Sequence, residues 1–276
     1  MDWVKHLELY KLLIRLGARS RPSQKAIEAT ARKIRANPEL KINNMTMVFD
    51  PYSSQDELIY ECLANGIGYE PGVTKILSRV ITKGTNFVDV GANSGYYTLL
   101  AASLLNGTGS ITALEPQSKV YKRLENNVKI NNIKNVNLLH NAAFSKDTIV
   151  KIGIARWGDA ETSIDYHDSV GYEEVKAVTL DTICEKPDVI KIDVEGYEFE
   201  VLEGAKRSLK SVKHIIFEQH LRRLIERKVP LNSVINQVRE QGFDVYDAET
   251  GRTINDYRDA IAISSNFYAT RNDQTG

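Results

Sequence analysis

Residues Asn86 to Ala102 read NFVDVGANSGYYTLLAA, and the fold is decided there. Phe87, Val88 and Val90 form a short apolar run, Gly91 and Gly95 interrupt it, and Tyr96 to Ala102 resumes as an apolar segment long enough for a helix. Strand, tight turn and helix follow from that pattern. Glycines at such a turn permit positive φ and let a ligand approach the backbone, and the unpaired N–H groups of a helix start are aimed at it.

Spacing narrows the ligand. A dinucleotide turn has the form G-x-G-x-x-G and a P-loop ends in Gly-Lys-Ser/Thr; Gly91-Ala92-Asn93-Ser94-Gly95 fits neither. An acidic residue, Asp89, stands just before the turn, and a second, Glu115, closes the next apolar run, Ile111 to Leu114. A carboxylate at the tip of the second strand is placed for a ribose diol. Asp89 is expected to face the site as well, where it would repel a phosphate and welcome an ammonium or a sulfonium. The pattern predicts a nucleoside bearing an amino-acid cation, S-adenosylmethionine; the plainer alternative is an ordinary α/β turn with a surface aspartate.

The chain has 276 residues, 42% of them hydrophobic and 26% charged, which suits one catalytic domain with an extension. Its formal net charge of zero offers no electrostatic case for nucleic acid. Charge is nonetheless uneven, since Met1 to Lys41 holds ten Lys and Arg against four Asp and Glu. Two distant cysteines, Cys62 and Cys184, argue against a disulfide scaffold and a structural zinc site. No run reaches the ~18 apolar residues of a membrane span and the N-terminus lacks a leader pattern, so a cytoplasmic location is expected.

Outward from the turn, Trp3 to Leu16 has the spacing of a basic amphipathic helix, suited to docking on the domain, on a second subunit or on a membrane surface. Gln24 to Ala36 reads as a second helix, Met45 to Asp50 as a strand, and Asp56 to Asn65 and Val73 to Ile81 as helices. Glu70, in the loop before the nucleotide turn, is a candidate for the ligand's amino group; the plain reading is an acid at a helix start ahead of Pro71. Gln117 to Val128 reads as a helix and Val136 to Leu139 as a strand, which brings Asn141 and Ala142 to where an adenine would lie. Between Thr148 and Val178, strand-like pieces flank a polar, aromatic loop with Trp157, Asp159, Tyr166, His167 and Tyr172. An antiparallel hairpin over the sheet is expected there, suited to a sugar or simply a surface hairpin.

The segment Asp188 to Gly196, DVIKIDVEG, reads as a buried parallel strand through Val194 with Lys191, Asp193 and Glu195 on one face. A buried lysine needs a carboxylate, and Asp193 or Glu218 is its expected partner. Tyr197 to Leu209 is expected to be helical. The next strand, Val212 to Phe217, leads into Glu218-Gln219-His220, which sets an acid and a histidine on one face above the same edge as Asp193. Helices broken at Pro230 and two closing strands, Phe243 to Tyr246 and Ile261 to Tyr268, complete the chain.

Taken in order, FVDVGANSGYYTLLAA, LEPQ, NAAFS, TLDTI, IKIDVEG and IIFEQH resemble the FkbM family of S-adenosylmethionine-dependent methyltransferases, from about Tyr69 to His220. Ser94 departs from the large aliphatic common there, which is expected to loosen packing. The resemblance implies an α/β class I methyltransferase fold: a seven-stranded, mostly parallel, Rossmann-like sheet with flanking helices. Residues 1–68 would be an N-terminal helical extension and 69–276 the methyltransferase domain, with an inserted hairpin at about 148–178. It also implies O-methylation of a sugar or related hydroxyl. Asp89, Gly91, Asn93 and Gly95 would form the cofactor turn, Glu115 would take the ribose, Asn141 and Ala142 the adenine, and Asp193 the methionine end nearest the acceptor.

Methyl transfer needs a proton acceptor, and His220 oriented by Glu218, or else Asp193, is the expected base. A divalent metal held by Asp193, Glu218 and His220 is a competing account, and none is expected. An RNA acceptor reached through the basic N-terminal helices is the rival activity, but no Asn/Asp-Pro-Pro-Tyr/Phe element stands after the fourth strand. A cofactor-binding protein without catalysis is the rival class. The acceptor and the oligomeric state are not written in the pattern.

Overall fold

The computed structural model describes residues 24–155, 164, 169–256, 258–259 and 266–271. The expected helix Trp3 to Leu16, the loop residues Trp157, Asp159, Tyr166 and His167, and residues 261–265 of the last expected strand lie outside them. Among the described residues no helix is long and apolar enough to cross a membrane.

A seven-stranded sheet organises the chain: β3 (Asn86–Val90), β4 (Ser110–Leu114), β5 (Val136–Leu139), β9 (Val189–Ile192), β10 (His214–Glu218), β11 (Asp244–Asp247) and β12 (Asn266–Thr270). Its order is β11-β12-β10-β9-β3-β4-β5, with β12 antiparallel to both neighbours and β10, β9, β3, β4 and β5 mutually parallel. This is the class I methyltransferase arrangement. From β3 the chain fills first one side of the sheet and then the other. The crevice between the carboxyl ends of β3 and β9 is therefore the switch point at which such sheets bind ligands.

The faces of the sheet are set by the period of two. Val88, Val90, Ile190 and Ile192 point into one core with Val201, Leu202, Val234 and Val238. Phe87 points into the other, beneath α3 (Pro71–Val80) and α4 (Tyr96–Leu105). Helix α4 is apolar all round and buried along nearly its whole length, so its place is at the centre of that layer. Of the segment before residue 69, the described part, from residue 24, is not all helix. Between α1 (Gln24–Ala36) and α2 (Ser54–Ala64) it holds a hairpin, β1 (Glu39–Ile42) and β2 (Met45–Val48), and its Ile34, Ile42, Met47 and Phe49 share the core of α4.

Past β4 lie α5 (Ser118–Ile130), β5 and then a three-stranded sheet, β6 (Ala142–Ala143), β8 (Ser169–Val178) and β7 (Thr148–Ala155), with β7 and β8 antiparallel. A short helix, α6 (Leu180–Ile183), leads to β9. Two expectations need correction beyond it. Strand β9 stops at Ile192 rather than running through Val194. The helix expected over Tyr197 to Leu209 is α7 (Glu198–Glu203) followed by a 3₁₀ turn at Ser208–Lys210. The break falls at Gly204, which lies so close to the Phe144 carbonyl that a Cβ would collide with it. The chain is completed by β10, α8 (Leu221–Glu226), α9 (Ser233–Glu240) and the closing strands β11 and β12.

Candidate active site

The glycine turn joins β3 to α4 and carries three left-handed residues, Gly91 (φ 78), Asn93 (φ 50) and Gly95 (φ 102). Gly91 has no room for a side chain, because a Cβ would overlap the carbonyl oxygen of Asp193 on the neighbouring strand tip. The backbone of the turn thus rests on the backbone that follows β9. Glu115, one residue beyond β4, closes the other side. It is 7% exposed, and its two oxygens accept from Asn93 N (3.0 Å) and Gln117 N (2.8 Å), which fixes the carboxylate's orientation.

Asp89 does not face the crevice. It shares the Phe87 face of β3, is 0% exposed, and accepts the Thr98 hydroxyl at 2.7 Å from the first turn of α4. Period two explains this: two residues after Phe87, the side chain lies under the helix, and its charge serves the helix start. Burial raises its pKa, with nearby Lys191 opposing the rise. Lys191 stands directly across from it in the parallel register, buried, with its ammonium 3.0 Å from Asp193 Oδ2 and 4.8 Å from the centre of the Tyr97 ring. The expected Lys191–Asp193 pair is present, and it is extended by Asp89 below and Tyr97 above.

Ser94 needs a second correction. Instead of leaving a gap it is completely buried, donating its hydroxyl to Asp56 Oδ1 of α2 at 2.6 Å, while its carbonyl accepts from Asn127 Nδ2 at 2.8 Å. Asn127 in turn bonds the Val48 N–H at 2.9 Å. The cofactor turn is therefore tied to the N-terminal segment from both sides.

Beyond the tips of β9 and β10 the acids gather. Asp193 follows β9, and Glu195 takes a left-handed φ of 55 that brings its carboxylate 3.2 Å from His220 Nε2. Glu218 ends β10 with Oε1 3.4 Å from the same nitrogen. Glu198, at the start of α7 and 0% exposed, approaches Nδ1 at 3.5 Å from the other side and accepts the Gly196 N–H at 2.9 Å. Arg227 packs its guanidinium 3.6 Å from the centre of the Tyr197 ring and bonds the Gly196 carbonyl, which pins the loop. Asp193, Glu218 and His220 thus meet as the sequence predicts. Glu198 was not singled out and Glu195 was named only as sharing a strand face with Lys191 and Asp193, because a strand ending at Ile192 makes period two useless past it. The Glu195-Gly196 pair, with the glycine also left-handed, was the available signal of a sharp turn.

Burial alone would push the imidazole's pKa down, but Glu195, Glu218 and Glu198 outweigh it and hold His220 protonated well above the ordinary range. Glu218 is pushed well up, by burial first and then by Asp193 and its other acidic neighbours against the opposing pull of His220. Glu195 is pushed up to about 7 in the same way. Asp193 is lowered, because Lys191 and His220 overcome its burial. A resting His220 that already carries its proton is not a free base; these groups share protons as a unit.

Glu70 joins the cluster from the helix side. At the N-cap of α3, with a left-handed φ of 40, it accepts from the Tyr97 hydroxyl and from Asn266 Nδ2 (3.0 Å). Asn141 lies just past β5, but its amide is engaged with the Lys176 carbonyl of β8 at 3.2 Å, and Ala142 is buried in β6. A cavity of about 570 Å³ opens at the opposite, amino-terminal edge of the sheet, lined by Arg79, Lys83, Lys213, His214 and Tyr268. It lies away from the glycine turn and from the acids.

Comparison with known proteins identifies the family. The family model described as the methyltransferase FkbM domain matches residues 89–245, more than half of the chain. The hexuronic acid methyltransferase AglP of Haloferax volcanii is 28% identical over 158 residues, a match spanning 55% of this chain and 62% of that protein's own length. Among solved structures, the methyltransferase FkbM of Methylobacillus flagellatus superposes with a TM-score of 0.47 at 15% identity, over 89% of this chain and 58% of the other. An S-adenosylmethionine-dependent O-methyltransferase of Thermotoga maritima gives 0.42 at 13% identity, over 79% and 72%.

Proposed function

This chain belongs to the FkbM methyltransferase family, and from that premise we propose that it moves a methyl group from S-adenosylmethionine to a hydroxyl of a sugar or related polyol. The observation that carries the reading is the meeting, at the carboxyl ends of β3 and β9, of the family's glycine turn with the cluster of Asp193, Glu195, Glu218 and His220.

The residues present fit that cofactor. Glu115, buried and oriented by two backbone N–H groups, offers a carboxylate to a ribose diol. Gly91 lets the chain turn without a side chain, and the acids Glu70, Asp193, Glu195 and Glu218 suit a cationic amino acid and sulfonium rather than a phosphate. Asn141 and Ala142 are assigned the adenine edge. Asp89 acts one layer down, capping α4 and balancing Lys191.

The cofactor supplies a methyl carbon already activated on sulfur; as the new O–CH3 bond forms, the S–CH3 bond breaks and the hydroxyl loses its proton. Holding the acceptor in line can be worth up to ~7–11 kcal/mol, and a positioned base adds a factor of about 10²–10⁴. Asp193, Glu218 and His220 are assigned both tasks: they line the acceptor end, and the proton passes into their shared pool rather than to a neutral imidazole. The relative that acts on a hexuronic acid supports a carbohydrate acceptor. The net charge of zero weighs against RNA.

The test is incubation of the protein with methyl-labelled cofactor and separated pools of neutral oligosaccharides, uronic-acid oligosaccharides and RNA. Label in a carbohydrate pool is expected; label in RNA alone, or in none despite cofactor binding, overturns the reading.

A further inference from the structure

Among the described residues beyond the tips of β9 and β10, acids outnumber basic groups. Asp193 is matched by Lys191 at 3.0 Å, but Glu195, Glu198 and Glu218 converge on the single cation His220, at 3.2, 3.5 and 3.4 Å. Arg223 also acts on Glu195 and bonds Glu226 at 3.2 Å. Partly buried acids gathered in this way either keep their protons or hold a further cation.

The donors are arranged as a ligand set. One oxygen each from Asp193 and Glu195 and a ring nitrogen of His220 lie within 4.8 Å of one another. An octahedral cation with bonds of about 2.1 Å holds neighbouring donors about 3 Å apart, and the 3.2 Å between His220 Nε2 and Glu195 Oε2 is near that value. A second feature points the same way from outside the set. Glu198 is completely buried, its Oε1 accepts the Gly196 N–H and lies 3.5 Å from His220 Nδ1, and both its Oε2 and that ring nitrogen are buried without a hydrogen-bond partner. A buried carboxylate on the far nitrogen of an imidazole is the usual way to fix the tautomer and ring orientation of a metal-binding histidine, leaving the near nitrogen as donor.

We propose that Asp193, Glu195 and His220 bind a divalent cation of the magnesium or manganese type, oriented by Glu198, at the acceptor end of the crevice. Two carboxylates and one imidazole suit manganese, and three protein donors leave positions open on the ion. An acceptor with two neighbouring oxygens, a vicinal diol, would fill two of them and present one hydroxyl at a fixed angle. Glu218, outside the ligand set, is then the carboxylate that receives the hydroxyl proton. The site stands on its own geometry; its role in holding the acceptor rests on the methyl-transfer reading.

The test uses the full chain, freed of metal by a chelator and titrated with Mn²⁺ alone, with binding followed by the loss of the free-ion electron paramagnetic resonance signal. S-adenosylhomocysteine binding is measured in parallel. One saturable Mn²⁺ site per chain is expected, weakened at least tenfold by Glu195→Gln or His220→Gln, and about 10–100-fold by Glu198→Gln. His220→Gln and Glu198→Gln should still bind S-adenosylhomocysteine. In the unaltered protein, electron spin echo of bound Mn²⁺ should show coupling to a ¹⁴N nucleus, a readout independent of whether any variant folds. No saturable binding up to millimolar Mn²⁺, binding unchanged in folded variants, or bound Mn²⁺ without nitrogen coupling overturns the site. S-adenosylhomocysteine binding beside any of these leaves the methyl-transfer reading standing. Mn²⁺ binding with these signatures but no S-adenosylhomocysteine binding supports the site and removes that reading instead.

Discussion

The hydroxyl of Ser94, inside the glycine turn, donates to the buried carboxylate of Asp56 at 2.6 Å, so that a residue of the N-terminal segment holds the cofactor turn from beneath. Replacing Ser94 with a larger aliphatic should therefore harm the protein. We expect Ser94→Val to cost about 1.5–3 kcal/mol, the range for a lost hydrogen bond to a charged group. Urea unfolding should show a lower midpoint at an unchanged slope. Equal or greater stability would mean that the bond is dispensable.

Lys191 lies between Asp89 and Asp193 with no water-facing escape, being 4% exposed. Removing one partner of a buried pair leaves the other charge uncompensated, and Lys191→Met is expected to destabilise by about 3–5 kcal/mol. Adding Asp89→Asn should restore part of the loss. A double-mutant cycle without coupling would show that the two do not interact.

Gly91 and Gly107 have nearly the same left-handed φ, 78 and 81, but only Gly91 is crowded. Gly107→Ala should cost about 1–2 kcal/mol, from backbone conformation alone. Gly91→Ala must also push Asp193 away, and should lose clearly more stability along with cofactor affinity. Equal melting temperatures for the two variants would argue against close contact between the two strand tips.

Helix α1 docks through Glu61, which accepts from Thr30 (2.7 Å) and from Lys33 (2.7 Å). Burial would raise the Glu61 pKa, but the bonds from Lys33, Thr30 and Asn65 outweigh it and leave it below the ordinary value of 4.5. A depressed folded pKa contributes stability above the unfolded value that is lost as pH falls through the folded one. Lys33 is half exposed, so the contribution should stay under about 1 kcal/mol. The stability gap between the protein and Glu61→Gln should be constant at neutral pH and shrink below about pH 4.5. A gap that is flat down to pH 3 would remove Glu61 from the docking.

The elements legible in the sequence were those with a strong period or a strong break. The β3–turn–α4 unit, β5, and the two helices around Pro230 fall where alternation and glycine or proline put them. Asp193, Glu218 and His220 were legible because strand ends carry side chains to a known edge. Asp89 was misread because acidity says nothing about which face a residue occupies; the face came from its separation of two from Phe87. Glu195 and Glu198 enter by a left-handed turn after the strand, where no period applies. The Ser94–Asp56 bond joins residues 38 apart, and local pattern carries no information about a contact between separate elements.

The central claim is that the crevice beside Gly91 and Glu115 holds S-adenosylmethionine, and calorimetry of the full chain with S-adenosylhomocysteine tests it most directly. One molecule should bind per chain. Glu115→Gln should raise Kd about 10–100-fold, consistent with a hydrogen bond to a charged group, while Asp89→Asn should affect melting temperature more than affinity. No heat of binding, or equal affinity in protein and Glu115→Gln, would contradict the account.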